Sequence, residues 1–293
     1  MDGVHGESRQ KDGILYVVAT PIGNLEDITL RALKVLAAAD VIAAENTRTT
    51  GTLLTRHGIS KRPVALHQHN EARTAGKVLQ WLRNGRSVAL VSDAGTPGLS
   101  DPGALVVAKA LAAGLRVVPV PGANAAVAAF SASGLSDGRF LFYGFMPARA
   151  SARRAAIAGL ASLGCALVFY EAPHRILESV DDLTALLPGG RTIVIARELT
   201  KVFESVASMP LLEAPAWMRD DANRQRGEFV LIVSGAPERD EKALTGWESM
   251  LEHLLGELPL AQAVRLTCTL TGARRKAVYA HALAVAAMAD KKD

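Results

Sequence analysis

The sequence predicts an α/β protein: two αβα domains of the doubly wound kind, followed by a small helical region. Three observations carry this reading. Short, uninterrupted runs rich in Val and Ile alternate with helix-like stretches over the first 120 residues, as strands covered on both faces require. A second set of such runs follows a linker of small and polar residues. From about residue 237 the strand pattern stops and only helical spacing remains.

In chain order, "ILYVVAT" (14–20), "VIAAE" (41–45), "SVALVSD" (87–93) and "RVVPV" (116–120) are the first four strands. Between them, "ITLRALKVLAAAD" places Ile28, Leu30, Leu33, Leu36 and Ala37 at helical spacing behind Asp27 as N-cap. "EARTAGKVLQWLRNG" repeats the pattern with Val78, Leu79 and Leu82, and Gly85 closes it. "SASGLSDG" (131–138) is the linker. Beyond it "FLFYGF", "CALVFYE", "RTIVIARE" and "GEFVLIVSG" read as strands, "SARRAAIAGLASL" and "HRILESVDDLTALL" as helices. Strand signals around "RELTKVFESVA" predict more antiparallel pairing in this half. Three short helices broken at Pro259 and Gly272 complete the chain, with a helix-turn-helix look that a simple packing cap would share. The expected divisions are a disordered leader at 1–13, domains at 14–134 and 135–236, and a helical domain at 237–293.

A chain of 293 residues suits two domains with an appendage. Hydrophobic residues make up 49% and charged ones 21%, a globular composition, and no run approaches the roughly 20 apolar residues of a membrane span. The leader "MDGVHGESRQKDG" has no apolar signal core, so the expected location is the cytoplasm. Cys165 and Cys268 form neither a disulfide framework nor a zinc pattern, and His67, His69 and Glu71 make a poor metal set, so no metal is expected.

The net charge of +4 is modest, but Arg139, Arg149, Arg153 and Arg154 fall in a window, residues 138–170, that holds no Asp or Glu. That block suits a polyanion, and a solvated helix face explains it equally well. The nearby Phe140, Phe142, Tyr143 and Phe145 could stack bases, although on a strand such a stripe is expected to fill a core.

In doubly wound sheets, ligands sit beyond the carboxyl ends of the strands. There the first half carries "TPIGN", "DAGTPGLSDPG" and "PGANA". Glycines let backbone approach a ligand, and prolines hold a loop still. One such loop would read as a tight turn; three at equivalent strand ends read as a preformed pocket. Neither G-x-G-x-x-G nor G-x-x-x-x-G-K-[ST] occurs, and Asp93 at a strand end would repel phosphates. A ligand bearing hydroxyls, an amine and a positive charge fits, and S-adenosylmethionine has all three.

Taken in order, "LYVVATPIGNLEDITLRAL", "AENTRTTGTLL", "HQHNE", "VSDAGTPGLSDPG", "PVPGANAA", "GFMPAR", "FYEAPHR", "ARELTKVFE" and "GEFVLIVSG" resemble the ribosomal small-subunit methyltransferase I family, of the tetrapyrrole-methylase class. The likeness spans residues 14–236, with a weaker echo in the tail. It implies an S-adenosylmethionine-dependent enzyme, a homodimer holding its cofactor in a cleft between domains. The implied reaction is 2′-O-methylation of the cytidine at position 1402 in the decoding region of 16S ribosomal RNA, within the small ribosomal subunit. On the family pattern, cofactor contacts fall to Ile22, Asp93, Gly95, Thr96, Asn124, Ala125 and Tyr170, with Gly227 and Glu228 further along. Where relatives read Pro-Gly-Pro and a small residue, this chain reads Pro121-Gly122-Ala123-Asn124.

Methyl transfer from a sulfonium needs the acceptor oxygen about 3 to 3.5 Å from the methyl carbon, and a weakly acidic ribose hydroxyl gains from a base or from a charge that stabilises its alkoxide. Glu171, His174 and Lys201 are the catalytic candidates from "YEAPHR" and "RELTK". A buried ion pair of Glu171 with Arg197 would serve structure instead, and His174 could cap its helix. Lys201 as a base would need burial to lower its pKa; as an alkoxide stabiliser it would not. Arg149, Arg153, Arg154, Arg175 and Arg197 are the candidate RNA contacts, with a second basic spot at Arg274, Arg275 and Lys276. Competing readings are methylation of a tetrapyrrole or other small molecule, and a non-enzymatic RNA-binding factor.

Overall fold

The computed structural model describes residues 12–67, 71–136, 138–187, 189–237 and 247–289. Most of the expected leader and His69 therefore lie outside the described residues. Two compact units result, Met1–Gly235 and Ala236–Asp293.

The first sheet of the larger unit is wholly parallel. It is built from β1 (Ile14–Val18), β2 (Val41–Ala44), β3 (Val64–Ala65), β4 (Val88–Val91) and β5 (Arg116–Val120), in the order β3-β2-β4-β1-β5. All residues of β2 and β4 are buried, because helices cover both faces. Those helices are α1 (Leu30–Ala38), α2 (Thr47–Arg56), α3 (Glu71–Arg83) and α4 (Ala104–Ala112). One core gathers Val78 and Leu82 of α3 with Val106 of α4 under Leu15 and Leu90; the other gathers Leu36, Leu53 and Leu54 under Val18 and Ile42. Asp27 does not cap α1. It ends a short 3-10 turn, and Thr29 is the N-cap, its hydroxyl accepting from Ala32 N at 3.1 Å.

The second sheet holds β6 (Phe140–Phe145), β7 (Ala166–Glu171), β8 (Thr192–Arg197), β9 (Ser205–Pro210) and β10 (Phe229–Val233), in the order β6-β7-β10-β8-β9. Only β6 and β7 pair in parallel; the other neighbours are antiparallel, as the sequence predicts for this half. α6 (Ala150–Leu160), α7 (Ile176–Leu186) and α8 (Ala214–Asp220) cover one face through Ile157, Val180, Leu183 and Met218. The other face is covered by α5 (Ala125–Ser131), whose Ala126 and Ala129 pack against Val168, Val194 and Val230. A boundary at residue 134 thus falls after a helix that already belongs to the second sheet's core.

The smaller unit is three helices, α9 (Trp247–Glu257), α10 (Leu260–Thr271) and α11 (Arg275–Ala289), around Leu251, Val264, Val278 and Ala282. The breaks fall at Pro259, the N-cap of α10, and at Gly272, which ends it at a φ of 72°. Among the described residues no helix is long and apolar enough to cross a membrane.

Candidate active site

The carboxyl ends of β1, β4 and β5 lie side by side because β1 pairs with both of the others. The loops that leave them are stitched together. Thr20 and Gly95 exchange backbone hydrogen bonds at 2.9 and 3.0 Å, and the Thr96 hydroxyl donates to Ala123 O at 3.3 Å. Gly95 holds a φ of 77°, which a side chain would strain. Two further bonds tie these loops to the second sheet: Ala126 N donates to the Tyr170 hydroxyl at 3.2 Å, and Asn24 N to the Thr200 hydroxyl at 3.1 Å.

The result is a cavity of about 370 Å³, inside the range of small-molecule sites. Ile22, Asp93, Gly95, Thr96, Asn124, Ala125, Tyr170 and Glu228 all line it, so the structure brings together the loops and strands that the sequence singled out. Gly227 does not. Its φ is 94°, and a Cβ there would lie 2.4 Å from the Glu198 side chain, so its part is to let Glu198 pack. Asn124 caps α5, its Oδ1 accepting from Val127 N at 3.0 Å. Phe145 also lines the cavity, edge-on to Tyr170, and is 52% exposed, contrary to the core expected for its stripe; Phe140 and Tyr143 are likewise partly exposed. Phe142 packs against the core of the second sheet as expected, and Tyr143 and Phe140 lie against Phe169 and Phe130, with ring centroids 5.7 and 4.6 Å apart.

The catalytic candidates fare differently. Glu171 lines the cavity, but its side chain is fully buried and both carboxylate oxygens are taken. Oε1 accepts from Arg175 and from Ala172 N, each at 2.8 Å, and Oε2 from the Ser179 hydroxyl at 2.6 Å. It therefore cannot serve as the base, and its ion-pair partner is Arg175 rather than Arg197. His174 is exposed and does not line the cavity, and the N-cap of α7 is Arg175. Lys201 does line it, its Nζ 2.8 Å from both Glu198 and Glu228. Burial pulls its pKa down, but the hydrogen bonds it donates to the two carboxylates, with their charges, outweigh that and hold it above the ordinary lysine value. Lys201 is thus a cation at neutral pH, which removes it as a base and leaves it as a charge stabiliser.

The cavity also gathers Glu45 and Asp101 beside Asp93, an acidic cluster of which the sequence pointed only to Asp93. Asp101 is pushed up to about 6 by burial first, then by the charges of Glu45 and Asp93. Burial also raises Glu45, with Asp93 adding to it. Glu45, Asp93 and Asp101 stand 8 to 56 positions apart in the chain, and only the β2–β4 pairing brings them together.

Of the arginines, Arg153 is corrected. It is 2% exposed, with Nε 2.7 Å from Asp182 and Nη2 3.1 Å from Glu178, so it cannot meet RNA. Arg175 is mostly buried against Glu171, and Arg197 donates to Ser205 Oγ and Arg226 O. Arg149 is exposed at the N-cap of α6, and Arg154 is exposed while paired with Asp182 at 2.6 Å.

Comparison with known proteins now bears on this cavity. Residues 14–215 match the Tetrapyrrole (Corrin/Porphyrin) Methylases, and residues 245–286 match the RsmI C-terminal HTH domain. The chain is 46% identical over 279 residues to "Ribosomal RNA small subunit methyltransferase I" of Escherichia coli O157:H7, covering 95% of this chain and 98% of that one. It is 48% identical to the protein of the same name from Pseudomonas aeruginosa, over 92% of this chain and 97% of the other. The chain belongs to the ribosomal RNA small subunit methyltransferase I family. Family membership makes it an S-adenosylmethionine-dependent methyltransferase of the tetrapyrrole-methylase fold. Among solved structures, the methyltransferase CobJ shares that fold at a TM-score of 0.56 and 23% identity, over 76% of this chain and 95% of that one. Uroporphyrin-III C-methyl transferase from Thermus thermophilus, complexed with S-adenyl homocysteine, does so at 0.54 and 18%, over 76% of this chain and 97% of that one.

The residues of the cavity fit the family's cofactor. A sulfonium and an ammonium favour carboxylates, and Glu45, Asp93 and Asp101 face the cavity while its one lining cation among the described residues, Lys201, is neutralised by Glu198 and Glu228. Ala196, Leu199, Phe229 and Val230 supply an apolar wall for a purine. Among the described residues no group of three metal-ligating side chains is assembled.

Proposed function

We propose that this methyltransferase acts on the 2′-hydroxyl of the cytidine at position 1402 in the decoding region of 16S ribosomal RNA, in the cytoplasm, as a homodimer working on the small ribosomal subunit. The observation that carries the reading is the acid-lined cavity at the ends of β1, β4 and β5, in a chain 46% identical to a small-subunit RNA methyltransferase over nearly its whole length. Exposed cations support a polyanion as partner: Arg149 and Arg154 on the larger unit, and Arg275 and Lys276 at the start of α11 in the helix-turn-helix unit. Tight helical RNA hides its bases, so the target ribose is reached in a splayed or single-stranded region.

Bound S-adenosylmethionine supplies an electrophilic methyl group. The chain's own residues hold and orient the reactants. Asp93 and Glu45 oppose the cofactor's positive charge, the three stitched loops fix its position, and Lys201, clamped as a cation, stabilises negative charge on the acceptor oxygen.

The test is to incubate the protein with labelled S-adenosylmethionine and small subunits from cells lacking the modification, then map alkali-resistant linkages in the RNA. Label at a single cytidine ribose of 16S RNA is expected. Label appearing in a porphyrin precursor and not in RNA would replace this reading with small-molecule methylation, and failure to bind S-adenosylhomocysteine in calorimetry would leave only an RNA-binding factor. Sedimentation at micromolar concentration tests the dimer, with a mass of one chain counting against it.

A further inference from the structure

We propose that the outward face of α2 is a docking surface for the RNA backbone, on which Arg48 and Arg56 take phosphates of the strand that leads into the cavity. The inference rests on the function proposed above.

The block around α6 offers less free charge than its arginine count: Arg153 is sealed inside the protein and Arg154 shares Asp182 with it. A second block is freer. Residues 46–70 hold Arg48, Arg56, Lys61 and Arg62 and no Asp or Glu. Lys61 is turned inward, its ammonium donating to Ala39 O. Arg48, Arg56 and Arg62 are exposed, and none of them has an ion pair among the described residues.

Helical spacing sorts α2 into two faces. Thr50, Leu53 and Leu54 are buried, the two leucines in the core of the first sheet. Thr47, Arg48, Thr52, Thr55 and Arg56 are exposed and, with Gly51, line an open groove of about 520 Å³. Guanidinium groups bind phosphate oxygens in pairs, and hydroxyls add neutral donors. The Thr52 hydroxyl donates to Arg48 O at 3.2 Å, whereas those of Thr47 and Thr55 have no partner among the described residues. Gly51 lies between the two arginines. A glycine inside a helix is less stable than an alanine, and a Cβ at Gly51 would meet nothing within 4 Å, so the packing of the fold does not require its absence. The bare backbone instead lets a strand lie close to the helix.

Position ties this face to the reaction. Glu45 lines the cavity from the end of β2, and Arg48 stands three residues beyond it, in the first turn of α2. Asn46 fixes that turn, its Oδ1 accepting from Arg48 N and Thr49 N at 3.0 and 3.4 Å. Glu45 itself accepts from Asp93 N, which leaves Arg48 unpaired. Arg56 follows about 12 Å further along the axis. Phosphate contacts position a strand without reading its sequence, so α2 sets where the target ribose enters and the cavity does the chemistry. A second copy of the chain is the weaker occupant. At a two-fold interface centred on this face the same arginines would meet each other, and like charges repel.

The test compares wild type with four variants: Arg48→Ala/Arg56→Ala, Arg48→Lys/Arg56→Lys, Gly51→Leu, and Lys77→Ala/Arg83→Ala, which removes two exposed cations from α3 on the other face of the sheet. Each is measured for KM with small subunits, salt dependence of subunit binding, calorimetric affinity for S-adenosylhomocysteine, and mass in sedimentation. The double alanine variant should raise KM at least about tenfold and flatten the slope of log affinity against log salt by about 2, with cofactor affinity and mass unchanged. The double lysine variant should keep most of the slope. Gly51→Leu should raise KM by filling the groove while melting no lower than wild type, since leucine favours a helix. The α3 variant should keep KM within about twofold of wild type, its charges lying beyond the reach of screened attraction. A double alanine variant with wild-type KM and slope overturns the proposal. So does an equal rise in KM for the α3 variant, which would make net charge the cause, and so does a change of mass in the double alanine variant, which would give the face to a second copy. Wild type that binds S-adenosylhomocysteine but methylates no RNA instead overturns the function on which the proposal stands.

Discussion

Arg149 and Arg153 sit one helical turn apart at the start of α6, yet one faces water and the other is sealed against Asp182 and Glu178. Charge counting alone puts both on the RNA. The partner acids lie 25 and 29 positions further on, in α7, and no local signal announces them. Removing one partner of a buried pair costs about 3 kcal/mol or more. Arg153→Ala should lower stability by that amount in chemical denaturation without changing the salt dependence of subunit binding. Arg149→Ala should stay within about 0.5 kcal/mol of wild type and flatten the slope of log affinity against log salt by about 1; an unchanged slope would return Arg149 to a solvated surface. Asp101 offers a second residue-scale check. A carboxyl whose pKa is raised on folding binds its proton more tightly in the folded state. Folding is therefore least favoured above pH 6, where the folded state must hold the charge, and the penalty vanishes below the ordinary carboxylate range near 4. Asp101→Asn should stabilise the fold at pH 8 by about 1 kcal/mol after allowance for solvent screening, seen as a higher melting temperature, and leave the melting temperature unchanged at pH 3, below the unfolded carboxylate range. Equal melting temperatures at both pH values would mean that Asp101 is not buried among like charges.

At the scale of elements, the loop between β8 and β9 carries Lys201, the charge stabiliser of the proposed reaction, on strained backbone: Glu198 has a φ of 51° and Thr200 one of 68°. Gly227 supports it from β10's side by leaving space for Glu198. Gly227→Ala should push Glu198 aside and unclamp Lys201, lowering kcat at least about tenfold for a stability cost of about 1–2 kcal/mol; kcat at the wild-type level would show that Lys201 does not need its clamp. The long elements were legible because both-face burial writes continuous apolar runs, as in "VALV" and "FVLIV". Others were not. α2 reads "TRTTGTLLTR", too polar to stand out beside its capping Asn46, and β3 is two residues long. β9, an edge strand of alternating burial, "SVASMP", was legible only as a strand signal around "RELTKVFESVA", because it has little apolar weight. The loops of the site were legible through their glycines and prolines. The acid cluster was not, because Glu45 comes from β2's end and Asp101 from the far side of a turn, and only strand pairing unites them.

The whole molecule divides its labour between a larger unit that carries the cavity and a three-helix unit that carries a basic helix start at Arg275 and Lys276. If the second serves only substrate recognition, a chain ending at Gly235 should bind S-adenosylhomocysteine within about threefold of the full protein while its KM for small subunits rises at least about tenfold, consistent with the loss of several phosphate contacts. An unchanged KM would assign the helical unit a purely structural part. Underneath every other expectation lies the claim that three turns from a parallel sheet, closed by the second sheet, hold the methyl donor. A crystal structure of the full chain grown with S-adenosylhomocysteine tests it most directly. The account predicts the adenosyl group against Val230 and Ala196, and the amino acid end beside Asp93 and Gly95; a nucleoside bound elsewhere, with those side chains left in contact with solvent alone, would contradict it.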